Sequence, residues 1–401
     1  MSVVPTTPSP ATLPPLTADL LGRSRLAVAL AFATQAFVFI TLTTRLPTLQ
    51  ETWRVGTDAL SGLLLMMVLL AGAGSVLAER WAARADSAMT LRAGLVMITA
   101  AVPVVVLSGT LTLGIVGMAL YGIGLGLVDA STNMQAVALE HRYGRPILPS
   151  FHGAWTTGGI LGALLALVTG DLAGWAPALV AVLPLVVAVL PFLPGTGLSQ
   201  APEGAVPWRP ILLVGLAMAL FYMVDVATQT WGATYAHEVF DTSKAVAPLG
   251  VFVYLLFSGA VRLAGDRLVG TLGAVPVLRV GALVGAAGLA LLVTSPSWAG
   301  ALVGFALAGA GLAVVAPLSF SAAARLAGGD DPFEARARID TVIARFNLFN
   351  YVGALLGSVM TGLVGGENLR WGFVLPAVLV LALVPLATQF AGGRTGGATA
   401  R

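Results

Sequence analysis

The amino-acid sequence predicts an all-α integral membrane protein with twelve transmembrane helices arranged as two six-helix halves. Apolar side chains make up 57% of the 401 residues, and the mean hydropathy is +0.92. Charged residues make up only 10%, against about 25% in soluble domains. A span needs about 20 apolar residues, so twelve spans take roughly 240 and leave about 160 for loops and ends. No polar stretch is long enough for a soluble domain on a single anchor.

Apolar runs bounded by charged residues, Gly and Pro mark the predicted spans. They lie at 26–46, 59–78, 91–108, 111–138, 150–170, 175–194, 210–234, 246–265, 275–294, 298–323, 341–364 and 371–390. Residues 1–22 are rich in proline and lack Lys and Arg, which predicts a disordered cytoplasmic tail rather than a signal peptide. The halves are 23–194 and 210–392, joined by a cytoplasmic linker at 195–209, and a second cytoplasmic tail follows at 393–401.

The basic residues predict the orientation in the cytoplasmic (inner) membrane. With the N-terminus inside, 17 Lys and Arg residues fall on the cytoplasmic side and four fall outside. The outer ones are Arg45, Arg54, Lys244 and Arg370. Because inner loops carry an excess of basic residues, this multi-pass chain is expected to have both termini in the cytoplasm.

Two acid-Arg pairs form a weak internal repeat. Glu79-Arg80 follows the second span and Asp266-Arg267 follows the eighth, 187 residues later. This pattern resembles the inner loops of the major facilitator superfamily, although Ser75 and Ala82 stand where that family usually has glycine. The resemblance implies a parallel repeat with binding between the halves. It also implies gating or structural ion pairs at Glu79, Arg80, Asp266 and Arg267.

Within that superfamily, the stretch from Gly124 to Asn133 resembles helix 4 of the fucose-permease-like branch and of related uncharacterised bacterial inner-membrane proteins. Both place an acid four residues before an Asn, as Asp129 stands before Asn133. The first span has no acid, so the resemblance does not imply fucose as the substrate. Drug antiporters of the superfamily have an arginine on helix 4, where this chain has Met118.

Two acids in the middle of spans are the main functional candidates, Asp129 in span 4 and Asp225 in span 7. An ionised aspartate at a helix centre costs ~2.5–3.5 kcal/mol in lipid, so each should face a cavity and be paired, hydrated or protonated. Asn133 and Gln229 each follow an acid by four residues and share its helix face. The sequence leaves open which aspartate carries a proton and whether these polar faces only pack between helices.

Other polar and aromatic side chains in spans are predicted to contact substrate. Together with Asn133 and Gln229 they are Gln35, Trp155, Tyr222, Thr228, Trp231, Asn347, Asn350 and Tyr351. Trp231 also fits an anchor at the membrane interface. His152, at the inner end of span 5, is read as either a capping or packing residue or a pocket residue. Pro317 predicts a kink in span 10.

These observations favour a secondary active transporter that moves a small polar or amphipathic solute by alternating access, with proton coupling. An exporter of a metabolite or drug with the same fold is the alternative, and a membrane enzyme or receptor is the remote one. We expect a monomer whose partners are substrate, protons and lipid. The sequence has no phosphate loop and no metal-ligand cluster, so no cofactor, metal, nucleic acid or catalytic residue is predicted.

Overall fold

The computed structural model describes residues 18–82, 84, 86–143, 147–169, 175–194, 208–327, 342, 346 and 348–391. Within these ranges the regular structure is helical and includes no strand. Most of the predicted tail at 1–22, the linker from 195 to 207, and the predicted tail at 393–401 lie outside the described residues.

The helices are numbered here in chain order. They are α1 (Ala18–Thr43), α2 (Leu46–Trp53), α3 (Thr57–Ala82), α4 (Ser87–Val106), α5 (Leu111–Tyr143), α6 (Leu148–Val168), α7 (Val182–Ala188, after a 3-10 turn at Ala176–Ala181), α8 (Trp208–Phe240), α9 (Leu249–Leu272), α10 (Ala274–Thr294), α11 (Trp298–Leu312), α12 (Val315–Ala327), α13 (Leu348–Gly365) and α14 (Leu369–Phe390).

The described helices agree with the predicted membrane spans. Ten are long and apolar enough to cross a bilayer, with α11 and α12 together counted as one. The shorter apolar helices Pro177–Ala188 and Leu249–Gly265 occupy the places of the sixth and eighth predicted spans. The predicted count of twelve is therefore consistent with the structure.

Three helix ends differ from the predicted boundaries. Helix α1 begins at Ala18, so residues 18–22 are helical rather than part of a disordered tail. Asp19 in its first turn accepts a hydrogen bond from Arg23 Nε at 3.1 Å, an i,i+4 pair that favours helix. Helix α8 begins at Trp208, within the predicted linker, and extends to Phe240, beyond the predicted end at 234.

Helix α2 occupies a stretch for which no helix was predicted. Pro47 stands in its first turn, where a missing N–H is tolerated. Leu49 and Trp53 share its buried face, and the Trp53 indole N–H donates to Ser108 Oγ at 2.8 Å. Arg54 ends the helix in the left-handed region, with φ 55°. Burial of a short amphipathic face thus converts a predicted loop into a helix.

The predicted kink in span 10 is present between α11 and α12. Helix α11 ends at Leu312, and α12 begins at Val315. Pro317 has no N–H to donate to the carbonyl of Ala313, four residues earlier, so one intrahelical hydrogen bond is missing at this break.

Glycines let helices meet at their backbones on the N-terminal side of the chain. A Cβ added at Gly126 in α5 would lie 1.9 Å from the Ala71 carbonyl oxygen in α3. One added at Gly158 in α6 would lie 2.0 Å from the Ala33 carbonyl oxygen in α1. Close packing of this kind is typical of membrane helices. It sets the positions of the polar side chains that these helices carry.

Helices α1–α7 pack mainly with one another, as do α8–α14. We call them the N-terminal group and the C-terminal group. Contacts between the groups run from α3 to α13, from α6 to α9, and from α1 and α2 to α8. These contacts enclose the cavity described next.

Candidate functional site

A cavity of about 170 Å³ lies between the two helix groups. Its wall is built from α1, α3, α5 and α6 on one side and α8, α9 and α13 on the other. Nine of the side chains predicted for the site line it together: Gln35, Asp129, Asn133, Trp155, Tyr222, Asp225, Gln229, Asn350 and Tyr351. Residues far apart in the sequence therefore share one space.

Of the other three residues predicted to contact substrate, two lie away from the cavity wall and one is not described. Thr228 is fully buried away from the wall, because α8 turns Asp225 and Gln229 toward the cavity and packs the face beside them. Trp231 is also fully buried, and its indole N–H donates to the Ser358 carbonyl at 2.7 Å. Neither residue lines the cavity. Asn347 lies outside the described residues.

Asp129 receives hydrogen bonds from both helix groups. Gln35 Nε2 in α1 donates to Asp129 Oδ1 at 3.2 Å. The Tyr351 hydroxyl in α13 donates to Asp129 Oδ2. Tyr351 Oη also lies 2.8 Å from Ser75 Oγ in α3, so the phenol bridges the groups. In the part of the chain that is described, neither donor to this carboxylate is a cation.

Asp225 is held within the C-terminal group. Gln229 Nε2, one turn further along α8, donates to Asp225 Oδ2 at 2.7 Å. The Tyr254 hydroxyl in α9 donates to Asp225 Oδ1 at 2.8 Å. Both partners are neutral, but the positive charge of Arg262 also acts on Asp225. The two aspartates thus have the same kinds of donor and differ in charge environment.

Each glutamine beside an aspartate has an unused acceptor. Gln35 Oε1 and Gln229 Oε1 are buried and have no hydrogen-bond partner among the described residues. Buried polar atoms are normally satisfied by protein or water. Because both side chains line the cavity, a solute there with hydroxyl or amine donors could satisfy them.

Arg262 is a cavity residue that the sequence analysis missed, since its charge was counted with the cytoplasmic ones. Its Nη1 donates to Thr156 Oγ1 in α6 at 2.7 Å, across the two groups. Its Nε donates to the Ala313 carbonyl at 3.0 Å. That carbonyl is the one that Pro317 leaves without an intrahelical donor. Sequence shows that the carbonyl is freed, but it does not show which side chain reaches it.

Aromatic rings make the rest of the wall amphipathic. His152 lines the cavity, with its ring centroid 5.9 Å from that of Phe320 and 5.7 Å from that of Phe32. Of the two interpretations left open for His152, its position supports the pocket. Trp155 and Tyr222 add rings with polar tips, which suit solutes with both apolar faces and hydroxyl groups.

The predicted gating pairs are only partly described. Arg80 and Arg267 are exposed, while the side chains of Glu79 and Asp266 lie outside the described residues. Their predicted gating role remains a prediction.

A polar contact that was not predicted joins the groups at the opposite end, which the topology assigns to the outside. Glu51 in α2 binds Lys244 Nζ, and Glu51 Oε1 lies 3.3 Å from His237 Nε2. Beside it, Gln50 Nε2 donates to Glu238 Oε1 at 3.3 Å. The hydrogen bond from Lys244 is the largest factor that lowers the pKa of Glu51 below its ordinary value. We call Gln50, Glu51, His237, Glu238 and Lys244 the outer contact.

Sequence comparison finds transporters among the relatives. An uncharacterised MFS-type transporter of Yersinia pestis is 29% identical over 351 residues, which cover 83% of this chain and 88% of the relative. The uncharacterised transporter y4wD of Sinorhizobium fredii is 31% identical over 303 residues, covering 71% and 76%. The membrane protein MosC of Rhizobium meliloti is 30% identical over about half of each chain. No family model matches the chain.

Solved structures of transporters share the fold. A variant of the nucleoside transporter NupG superposes with a TM-score of 0.69 at 13% identity, covering 93% of this chain and all of that one. A bacterial homologue of the human lysosomal transporter Spinster, in an inward-facing occupied conformation, gives 0.66 at 16% identity, covering 93% and 97%. FucP in its outward conformation gives 0.63 at 16% identity, covering 92% and 98%. The predicted all-α membrane fold is thereby confirmed.

Proposed function

This chain belongs to the major facilitator superfamily of membrane transporters, and we propose that it couples movement of a small polar or amphipathic solute to protons. Transport proceeds across the cytoplasmic membrane by alternating access, in which the two helix groups act as the two six-helix halves. The observation that carries the proposal is a pair of aspartates, Asp129 half-buried and Asp225 buried, on opposite sides of one cavity between the groups. A solute bound there contacts both groups, as an alternating mechanism requires.

Asp129 suits the proton site. Its carboxylate is bonded by a phenol and an amide, and no cation donates to it within the described residues. A carboxylate without a cationic partner in a low-dielectric site is readily neutralised by a proton. Release and uptake of that proton would follow exposure of the cavity to each side in turn.

Asp225 suits substrate orientation. Its charge is partly balanced by Arg262, and its two donors keep its geometry fixed within the C-terminal group. The free acceptor on Gln229 lies on the same helix face. Asp225 and Gln229 can therefore receive donor groups of a solute without needing to change protonation.

The wall supports a neutral solute with several hydroxyl or amide groups and one apolar face. Asn133, Asn350 and the two glutamine oxygens offer hydrogen bonds, while Phe32, Trp155 and Tyr222 offer rings. Nucleosides and sugars have this chemistry. The nucleoside transporter NupG has the same fold. These solutes make up the first substrate panel.

The test uses purified protein in liposomes that contain a pH-sensitive dye. Uridine, L-fucose and myo-inositol are added in turn under an inward proton gradient, and solute uptake is measured together with internal pH. A transported solute should accumulate above its external concentration and acidify the interior. Asp129→Asn should abolish accumulation while exchange of labelled for unlabelled solute persists, because exchange moves no net proton. Asp225→Asn should weaken both modes.

The matched control is Asp58→Asn, the same substitution at an exposed aspartate outside the cavity. It should transport like the natural protein. Accumulation by Asp129→Asn at the natural level would contradict the proton role, and normal coupling in both cavity variants would contradict proton coupling by either acid.

A further inference from the structure

Tyr351 is placed differently from the other partners of the two aspartates. Gln35 bonds Asp129 within the N-terminal group, and Gln229 and Tyr254 bond Asp225 within the C-terminal group. Tyr351 alone among these four donors belongs to the other group from its aspartate. A change at the Asp129–Tyr351 bond therefore changes the contact between groups, while a change at the Asp225 bonds does not.

The neighbours of Tyr351 fix it at this boundary. Its hydroxyl oxygen lies 2.8 Å from Ser75 Oγ, which can donate to it because the phenol proton is used on Asp129, and Ser75 Oγ also lies 3.2 Å from the Gly126 carbonyl oxygen. Both Ser75 and Gly126 belong to the N-terminal group, at the close contact of α3 and α5. On its own helix, Gly353 approaches the Ala219 carbonyl oxygen in α8 so closely that a Cβ would lie 2.5 Å from it. The phenol thus connects two rigidly packed surfaces.

The strength of the bond depends on the charge of Asp129. A hydrogen bond to an ionised carboxylate is roughly twice as strong as one between neutral groups. Tyr351 therefore holds the N-terminal group more firmly when Asp129 is ionised than when it is protonated. The other titratable or charged side chains of the described cavity wall are Tyr222 and Asp225 in α8, His152 in α6 and Arg262 in α9. None of these donates to or accepts from Asp129 in the described contacts.

We propose that Tyr351 is the positioning residue that converts the protonation state of Asp129 into a change in the contact between the two helix groups. This inference rests on the proposed function, because it assumes that Asp129 exchanges a proton. Ionised Asp129 stabilises the state described here, in which the outer contact is closed. Protonation weakens the tie from α13, destabilises this state and thereby favours the alternative state, in which the outer contact is open.

The test measures the opening of the outer end and needs no substrate. The natural chain has no cysteine, so Asp58→Cys and Ser243→Cys can carry spin labels at two exposed positions, one in each group. The distance between the labels is measured in nanodiscs from low to high pH, in a Glu51→Gln background, because Glu51 with Lys244 and His237 would add a pH response of the outer contact itself. In this background the short-distance population should rise with pH, by about fivefold in its ratio to the open population, given the difference between a neutral and a charged hydrogen bond.

Tyr351→Phe should remove this pH response. Asp129→Asn should remove it too, and the double variant should behave like either single one, since the residues act as one unit. Tyr235→Phe is the matched control, because it removes a buried hydroxyl that bonds the Leu292 carbonyl at 2.6 Å within the C-terminal group. It should keep the response. Monodisperse elution in size-exclusion chromatography establishes that each variant folds. If Tyr351→Phe does not fold, Tyr351→Leu is measured in its place.

The two proposals fail in different ways. If Asp129→Asn removes the pH response and Tyr351→Phe retains it, the role of Tyr351 is refuted while Asp129 stands as the proton site. If Asp129→Asn retains the response, Asp129 is not the group that senses protons, and both proposals lose their basis. If Tyr235→Phe also loses the pH response, the specific role of Tyr351 is refuted. Removal of any buried phenol hydroxyl would then be enough to abolish the response.

Discussion

At the scale of single residues, burial decides what a polar side chain can do. A tryptophan such as Trp231 can stack on a substrate ring, but this side chain is fully buried. Its indole N–H donates to the Ser358 carbonyl in the π-helical turn Leu356–Met360. A Cβ at Gly362 would lie 2.3 Å from the Trp231 ring, so the ring fills the space that this glycine leaves. The structure therefore places Trp231 in the packing of the C-terminal group, away from the cavity wall.

Trp231→Phe tests this role. The change leaves the Ser358 carbonyl without its donor, and an unsatisfied buried group costs about 1–3 kcal/mol. We expect a lower apparent Tm in detergent and an unchanged substrate profile. The control is Trp371→Phe, because the Trp371 side chain is 64% exposed and its change should stay within about 0.5 kcal/mol. Equal losses of Tm in both variants would contradict the structural role.

At the scale of helices, close approach of backbones sets the geometry of the site. Helix α6 carries Trp155 and His152 into the cavity, and its packing against α1 depends on Gly158. Helix α1 in turn carries Gln35 to Asp129. A wider spacing between α1 and α6 would therefore move side chains on two walls of the cavity.

Gly158→Ala should force these helices apart. The added methyl group would meet the Ala33 carbonyl oxygen at 2.0 Å, and backbone cannot yield as a flexible side chain does. Overpacking of this kind costs about 1–3 kcal/mol, which should appear as a lower apparent Tm. Gly153→Ala in the same helix meets nothing within 4 Å. It should leave Tm unchanged or raise it, because alanine favours helix over glycine by up to about 1 kcal/mol. A similar Tm for the two variants would argue against backbone contact at Gly158.

The outer contact joins helix α2 to the end of α8 and to the segment that follows it. The pKa of Glu51 is lowered first by the hydrogen bond from Lys244 and further by that from His237. A carboxyl whose pKa is lowered by a contact favours that contact above its ordinary pKa, 4.5 here, and loses the effect as pH falls through the lowered value. The contribution should be modest, since exposed ion pairs are typically worth about 0–1 kcal/mol.

Glu51→Gln should therefore raise the open population at the outer end by up to about fivefold at neutral pH and low salt. The effect should shrink in high salt, which screens exposed charges. The spin-label distance between positions 58 and 243 measures the change. Glu367→Gln alters another exposed glutamate and serves as control. A Glu51→Gln effect that is unchanged by salt would show that charge is not its cause.

At the scale of the whole molecule, orientation follows from charge rather than from packing. The split of 17 inner to four outer basic residues predicts it. The helix bounds then assign the segment after α8 to the outside and the end of α9 to the inside. In the proposed alternating-access mechanism the two ends of the cavity have different roles, so the orientation determines which end faces the cytoplasm.

Single cysteines test the orientation directly. Ser243→Cys and Thr271→Cys both place a thiol at an exposed position of a chain that has no cysteine of its own. We expect a membrane-impermeant maleimide to label position 243 in intact cells and position 271 only after the cells are opened. The reverse pattern would overturn the topology.

Most of the fold was predictable because lipid imposes strong constraints on sequence. Spans of about 20 apolar residues, glycines at helix contacts and the break caused by Pro317 are all local features. The short helix α2 was not predicted, because its stability comes from burying Leu49 and Trp53 against distant helices.

The sequence by itself determined the membrane fold and predicted Asp129 and Asp225 as the main functional candidates, because an ionised side chain is costly in lipid. Tertiary structure alone decided which side chains complete each site. Tyr351 reaches Asp129 across 222 residues of sequence, and Arg262 reaches Thr156 across 106. Helical periodicity assigns a residue to a face, but only packing decides which other face it meets. The difference between an aspartate held within one group and an aspartate tied across two is therefore a property of the folded molecule.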